Sequence, residues 1–596
     1  MKILGIYWGL SSTAALLIDN KIQSAVSEER FTRIKNDDVF PAQAIRYVLE
    51  ANGLKAEDLD GVAIASNEQY LPYSILQKAR WSIDDYVREQ TDRWYPRIYE
   101  GKQVSDLDVF EDKVNRDLYP QDYWAKSAEG LKQQVESFSE DRKKIFADFL
   151  GVDQSKVRTI LHHKAHAYYG YYSSPFRQQD VLSITMDGWG DNANGSIGVF
   201  NPQGDFRFEL ETVNCNIARI YRYITLVLGM KPNEHEYKVM GLAPYGKERI
   251  AQKPYELFKQ TLVVDGIDFK WNVEPKDSYF WFRDRLQGCR FDGIAAGLQR
   301  WAEELLTEWV ANAVDRFGIG QVVLSGGASM NIRANGKIAE LPGIEQLFVG
   351  GSGSDESLAL GSAFCMAEDL HKERGTEWKP QDVPYLERLY LGPESNLEKE
   401  KAAVGALDDR YIVEDQVDSA RVAALLADGK ILARCAGPME FGQRSLGNRS
   451  ILADPTVPDV IGTINAAIKN RDFWMPFAPV VLDTDAPRYV LNPKNLRSPH
   501  MTIGFDSTPV GWDEMRAGCH PADRSARAQI LTEAANPGLY AIITEFKKQT
   551  GRAALINTSF NLHGYPIVNT PEEAIDVLER SGLDGLVLNH FVVLKK

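Results

Sequence analysis

Two stretches restrict the fold more than anything else in the chain. QVVLSGGASMNIRANGKI at 321–338 and QLFVGGSGSDESLALGSAFCMA at 346–367 each pass from a short apolar run through a glycine-rich turn into helical spacing. An apolar run of four or five residues reads as a buried strand, and a glycine turn after it lets the helix fold back onto the sheet. Two strand-turn-strand units come earlier, at 2–33 and at 181–200. This order predicts an α/β protein whose halves close around a ligand. Gly326 and Gly327 lie where helix N-terminal N–H groups can face an anion or a nucleoside, and Gly188 sits in the hairpin turn GWGDNANG.

With 596 residues the chain exceeds what one hydrophobic core supports. Its net charge of -15 argues against a nucleic-acid partner, because no basic run offsets it. A few pocket arginines would still serve phosphate-bearing small substrates. The five cysteines form no CxxC pair, which argues against a disulfide framework or structural zinc. MKILGIYWG lacks the pattern of a signal peptide, and no window suits a membrane span, so a cytoplasmic location is expected.

The opening residues read as strands ILGIYWG, TAALLID and IQSAVSEER, with Ser12 and Thr13 at a small-residue turn. Such a turn can cradle phosphate, although a plain hairpin is the simpler explanation. Residues 41–54 suggest a helix. Residues 68–151, rich in Tyr, Trp, Lys, Asp and Glu, suggest a helical insertion. The hydrophilic residues 371–395 read as a linker.

His162 and His166 are four residues apart in a helical segment, so both imidazoles lie on one face. Asp187 ends a buried strand and Asp355 begins a helix. Together these four would hold a divalent iron, zinc or manganese ion. The plainer alternatives are a helix N-cap for Asp355 and a turn residue for Asp187. His163 faces elsewhere and reads as structural.

The last two hundred residues gather cations among small polar residues. Arg444 and Arg449 lie in EFGQRSLGNRSILADP, Lys469 and Arg471 follow a helix, and Ser559 and Asn561 lie beyond Arg552. Their convergence would form a phosphate or pyrophosphate pocket, since the arginine fork bonds two oxygens at once.

Nine segments, in order, carry a family resemblance: SEERFTRIKND, LHHKAHA, DGWGD, EYKVMGLAPYG, SGGASMN, GSDESLALGSAF, QRSLGNRSILADP, KNRDFWMPFAP and NTSFNLHGYPIV. The chain resembles the antibiotic and nodulation-factor O-carbamoyltransferases of the NodU/CmcH type. The resemblance implies an α/β first domain at 1–370 of the actin and sugar-kinase type, like the tRNA threonylcarbamoyltransferase subunit. It implies a YrdC-like second domain at 396–596. Carbamoyl phosphate and ATP, with Mg2+, would give carbamoyl-adenylate in the second domain. A small natural-product acceptor would then take the carbamoyl group in the first.

Carried over by position, His162, His166, Asp187 and Asp355 match the metal ligands, with iron(II) the expected occupant and zinc or manganese the alternatives. Gly326, Gly327 and Asn331 fall in the nucleotide-binding turn, and Lys238 matches a phosphate-facing motif. Arg444, Arg449, Lys469, Arg471, Ser559 and Asn561 match the carbamoyl-phosphate and ATP pocket. A homodimer is allowed; no membrane or nucleic-acid partner is expected. One position departs from the pattern: Leu10 stands where the family carries a histidine that serves as base. His235 is one substitute, and the acceptor's own carboxylate or amine is another. A sugar-kinase-like ATPase and a non-catalytic nucleotide or carbamoyl-phosphate sensor are the competing readings.

Overall fold

A computed structural model describes residues 1–69, 76–114, 131–415, 418–469 and 471–596. Parts of the expected helical insertion, 70–75 and 115–130, lie outside the described residues. The flanking parts are helical, including Ile83–Arg88 and Leu131–Leu150.

The first sheet contains β1 (Lys2–Tyr7), β2 (Thr13–Ile18), β3 (Lys21–Ser27), β4 (Gly61–Ala65) and β5 (Val157–Ile160). The second contains β6 (Val181–Gly190), β7 (Ala193–Phe200), β8 (Phe206–Thr212) and two later strands. A small hairpin, β9 (Leu262–Asp265) with β10 (Asp268–Trp271), intervenes before β11 (Gln321–Ser325) and β12 (Gln346–Val349). The two sheets have one topology. Their orders are β3-β2-β1-β4-β5 and β8-β7-β6-β11-β12, each an antiparallel meander extended by two parallel strands. No short-period repeat in the sequence announces this duplication, because topology survives where residue identity does not.

Local chemistry explains the turns. Asp19-Asn20 and Asp191-Asn192 both adopt positive φ, at 45° and 66° and at 49° and 62°. Two-residue hairpins require this left-handed backbone, and Asn and Asp tolerate it. The expected third strand ends early: Ser27 closes β3, and Glu29–Thr32 forms a short helix instead.

Each parallel edge strand leads into a helix, His162–Ser173 after β5 and Leu358–Glu373 after β12. These helices pack against each other in very close approach. A methyl group on Gly361 would lie 1.9 Å from the Ala165 carbonyl oxygen, and one on Gly5 would lie 1.9 Å from that of Ala359. Glycine at both places lets backbone meet backbone.

The third sheet is mixed. Its strands are β13 (Tyr411–Asp415), β14 (Leu432–Cys435), β15 (Arg449–Ala453), β16 (Ala478–Leu482), β19 (Gln529–Leu531), β20 (Ala554–Ser559), β21 (Gly585–Val587) and β22 (Phe591–Lys595). A minor pair, β17 (Phe505–Asp506) and β18 (Ser525–Ala526), lies beside it. One apolar cluster runs from Leu182, Ile184 and Leu324 of the second sheet to Leu432, Val480 and Leu555 of the third. The stretch expected as a linker is docked as well. Trp378, Val383, Leu386 and Leu389 are buried beside Tyr172 and Phe364, and Trp378 Nε1 donates to Tyr172 Oη at 2.6 Å. Among the described residues no helix is long and apolar enough to cross a membrane.

Helix propensity alone makes Gly→Ala about 1 kcal/mol stabilising. At Gly361 the overlap with Ala165 reverses the sign, and Gly361→Ala is expected to lose about 2–3 kcal/mol, read as a lower urea midpoint at unchanged m-value.

Candidate functional site

The paired helices bring four ligands together. His162 and His166, one turn apart, aim Nε2 at Asp187 Oδ2, at 3.0 and 3.3 Å. Asp355, in the turn before the partner helix, places Oδ1 at 3.8 and 3.5 Å from the same nitrogens. All four ligand atoms lie within 4.8 Å of one another. The supports repeat the sheet duplication. Ser66, just after β4, meets His162 Nδ1 at 2.9 Å, and Ser325, ending the equivalent strand β11, meets His166 Nδ1 at 3.4 Å. An Nδ1–H bonded to a hydroxyl leaves the Nε2 lone pair for a metal. Tyr7, ending β1, donates to Asp355 Oδ2 at 2.6 Å, and the Gly188 backbone donates to Asp187 Oδ1 at 2.7 Å.

Two further observations fit a cation here. Asp355 Oδ1 is buried without a hydrogen-bond partner. Gly190 has its Cα so close to His162 that a methyl group would overlap the ring at 2.1 Å, so the imidazole is wedged in place. The two-nitrogen, two-carboxylate donor set suits iron, zinc or manganese. Without a cation the charges compensate one another. Burial would raise the Asp187 carboxyl, but the hydrogen bonds from His162 and His166 hold it well below its usual range. Burial would lower His166, but Asp187 and Asp355 lift it to about 9. Burial and then the Asp187 charge raise Asp355. His163 is set apart, bonded to Thr185 Oγ1 at 2.7 Å and lowered to about 3 by burial and by its neighbouring histidines.

A second site, a cavity of about 230 Å³, opens where segments 29–36 and 233–241 face the end of β20 and its neighbouring loops. Arg444, Lys469 and Arg471 line it with Ser559, Asn561 and Lys238. Lys469 Nζ donates to Ser559 O and Oγ and to Asn561 Oδ1 at 2.8 Å, all uncharged acceptors. Arg471 reaches Thr558 Oγ1 at 3.0 Å, and the buried Arg444 Nε has no partner. The structure adds Arg527, which lines the same cavity. Burial, then Arg444 and Arg471, hold it well below the usual arginine range. Burial, then Arg471 and Lys35, hold Lys469 well below its own. Among the described residues none of Arg444, Lys469, Arg471 and Arg527 forms an ion pair. Lys469 is buried and the three arginines are half-buried, and cations so placed without an ion-pair partner suit an anionic ligand.

Several expected site residues lie elsewhere. Arg449 is fully buried with its guanidinium on the carbonyls of Gly437 and Asn448, at 2.9 and 3.1 Å, which staples the sheet rather than lining the cavity. Arg552 pairs with Asp454. Ser12 and Thr13 spend their hydroxyls on the carbonyls of Gly9 and Ser11, both at distances below 3 Å (2.9 and 2.8 Å), so they form a closed turn and not a cradle. Gly326 donates to Gly353 O at 2.7 Å and Gly327 to Asp187 Oδ1 at 3.3 Å, so this turn serves the ligand cluster. Asn331 caps the helix Ile332–Glu340 through Ala334 N at 3.1 Å. His235 lines the cavity, but its Nδ1 accepts the Lys231 backbone N–H at 3.1 Å. The neutral ring therefore carries its proton on Nε2, and burial with Lys238 lowers it to about 4. That ring has no free lone pair with which to act as a base.

Tyr7, Ser66, Ser325, Asp191 and Arg527 escape sequence reasoning. They are ordinary strand-end or loop residues, and only the fold brings them to the sites. The Asp191 carboxylate accepts the backbone N–H groups of Asn67, Glu68 and His162, at 2.8, 2.7 and 2.8 Å.

This double arrangement occurs in a chain that matches two family models, Carbamoyltransferase N-terminus over residues 2–364 and Carbamoyltransferase C-terminus over 423–595. The chain belongs to the carbamoyltransferase family. An uncharacterized protein of Methanocaldococcus jannaschii is 30% identical over the whole of both chains. Nodulation protein NolNO of Sinorhizobium fredii is 27% identical over 98% of this chain and 78% of its own. Nodulation protein NolO of Bradyrhizobium diazoefficiens is 30% identical over 73% and 79%. Among solved structures, T. kodakarensis HypF overlaps with a TM-score of 0.32 at 13% identity, over 64% of this chain and 49% of that one. An overlap that weak defines neither fold nor activity.

Two outcomes test the sites. Ser66→Ala should weaken metal retention about 10–100-fold in a chelator competition, with the far-UV spectrum unchanged. Anion binding should favour the charged form of Lys469, which burial disfavours. Its depressed value rises when an anion arrives, so binding takes up a proton between the free and bound values and weakens as pH rises through that window. Calorimetric titration with sulfate in buffers of different ionisation enthalpy reads this uptake, and Lys469→Met should remove it.

Proposed function

We propose that the chain is an ATP-dependent carbamoyltransferase that makes carbamoyl-adenylate in the cation cavity and hands its carbamoyl group to an acceptor at the ligand cluster. The observation that carries this reading is the convergence of Arg444, Lys469, Arg471 and Arg527, none of which forms an ion pair among the described residues. Carbamoyl phosphate and the triphosphate of ATP, with Mg2+, supply the missing negative charge. In this reading residues 1–370 are of the actin and sugar-kinase type and 396–596 are YrdC-like.

Carbamoyl phosphate and water give carbamate and phosphate. A carbamate oxygen then attacks the α-phosphorus of ATP and pyrophosphate leaves. The acceptor's hydroxyl or nitrogen next attacks the carbamoyl carbon, AMP departs, and the acceptor's proton goes to a base or to solvent. The cavity cations hold the phosphates in line and balance charge as it shifts to the leaving group. The metal, iron(II) in this reading, supplies Lewis acidity when bound. His162, His166, Asp187 and Asp355 would hold it. A short path through one hydrogen bond supports transfer within the molecule. The turn that carries Asp355 also carries Ser352, whose Oγ accepts the Gln443 N–H at 3.2 Å, one residue from Arg444.

The acceptor's proton is the step this chain handles differently. Gly9 lies so close to Tyr7 that a methyl on it would fall 2.4 Å from the phenol oxygen, so the loop bearing Leu10 folds onto the residue that holds Asp355. Leu10 accepts no proton, and the neutral His235 has no free lone pair. An acceptor that carries its own amine or carboxylate satisfies both facts.

Incubation with ATP and carbamoyl phosphate should yield AMP and pyrophosphate; ADP as product would instead indicate a kinase. Arg444→Ala and Lys469→Ala should each cut pyrophosphate formation by about 100-fold or more. With His162→Ala pyrophosphate should still form while transfer is lost, and full transfer by that variant would overturn the assignment of the cluster.

A further inference from the structure

The chemistry above leaves Trp189 unused, yet it follows the cluster residue Asp187 by two positions at the end of β6. The side chains of His162 and His166 are 3% and 0% exposed, those of Asp187 and Asp355 13% and 24%. A reactant therefore approaches from the carboxylate side. Gly188 borders that approach, where an added methyl group would meet no atom within 4 Å. The next residue, Trp189, is 48% exposed. Its hairpin is firmly held: Asp191 ties it to Asn67, Glu68 and the first turn of the histidine helix. The backbone that sets the metal ligands thus also displays the indole. Arg219 lies over one side of the ring, its guanidinium carbon 5.7 Å from the centroid, and forms no ion pair among the described residues.

We propose that Trp189 and Arg219 form the acceptor-recognition platform, and that the acceptor is a hydroxylated ring compound bearing a carboxylate. This rests on reading the cluster as the transfer site. An indole offers a flat face for the C–H surface of such a ring, and a guanidinium beside it offers a two-pronged donor for the carboxylate. Together they fix both the plane of the ring and its rotation, so that one nucleophile faces the cluster.

The test uses the full chain loaded with Zn2+ and two probes, methyl β-D-glucuronide and methyl β-D-glucoside, titrated by calorimetry. The glucuronide should bind at least about ten-fold more tightly, in keeping with one charge-assisted contact. Trp189→Ala should weaken it by about ten-fold or more, whereas Trp189→Phe should stay within about three-fold because a flat aromatic face remains. Arg219→Gln should bring the two probes to equal affinity. Equal binding of both probes by the native chain, no binding of either, or undiminished binding by Trp189→Ala or Arg219→Gln would overturn the platform and leave Trp189 and Arg219 as a surface pair. Pyrophosphate formation by the native chain, measured without any sugar, reports on the proposed chemistry separately.

Discussion

The close approach of the helices His162–Ser173 and Leu358–Glu373 is the contact on which the rest of the structure depends. Each helix follows the edge strand of one copy of a duplicated sheet, so their crossing is where the two copies meet. Gly361 lets the crossing close until backbone touches backbone. From it follow the spacing of His162 and His166 against Asp355, and the position of Asp187 between them. The serines that hold the two imidazoles come from equivalent strand ends. A pseudo-symmetric frame thus builds an asymmetric site, because one copy contributes histidines and the other carboxylates.

The two sites handle charge in opposite ways. At the cluster, two imidazoles and two carboxylates compensate one another, so the bare site is stable and a divalent cation can replace the protons. In the cavity Glu234 and Asp472 pair with Lys35 and Lys238, while Arg444, Lys469, Arg471 and Arg527 have no ion-pair partner among the described residues. Burying several cations together costs several kcal/mol per ion unless something neutralises them. The apolar continuity between the second and third sheets supplies the stability that holds the cavity open while it is unsatisfied. A polyanionic substrate then binds to a prearranged field instead of assembling one, which lowers the reorganisation needed at the moment of reaction.

Much of the first two sheets was legible because their signals are local. Strand periodicity, Asp-Asn turns and strand-glycine-helix order act within a dozen residues. The ligand cluster was legible in part for the same reason, since HxxxH places two imidazoles on one face without help. The cation pocket was legible as a composition but not as a membership list. Arg449 and Arg444 look alike in sequence, framed by the same glycines and serines. One faces inward to backbone carbonyls and the other faces the cavity, because Arg449 begins a strand and Arg444 stays in the preceding loop. Arg527 carried no such frame and still joins the pocket. The Gly326-Gly327 turn misled for a related reason: its amides were free in principle, but Asp187 and Gly353 reach them first.

By itself the sequence determined the α/β class, the order of the strand and helix units, the paired histidines and the abundance of cations among small polar residues in the last third. Each of these is a property of neighbours in the chain. The tertiary structure decided which carboxylates meet the histidines, which arginines lack a partner, and that His235 carries its proton on Nε2. It also decided that Trp189, two residues after Asp187, stays exposed. Those outcomes depend on burial and on tertiary contacts, some as distant in sequence as His166 with Asp355, and local sequence does not encode which of several equivalent side chains the fold will leave unsatisfied.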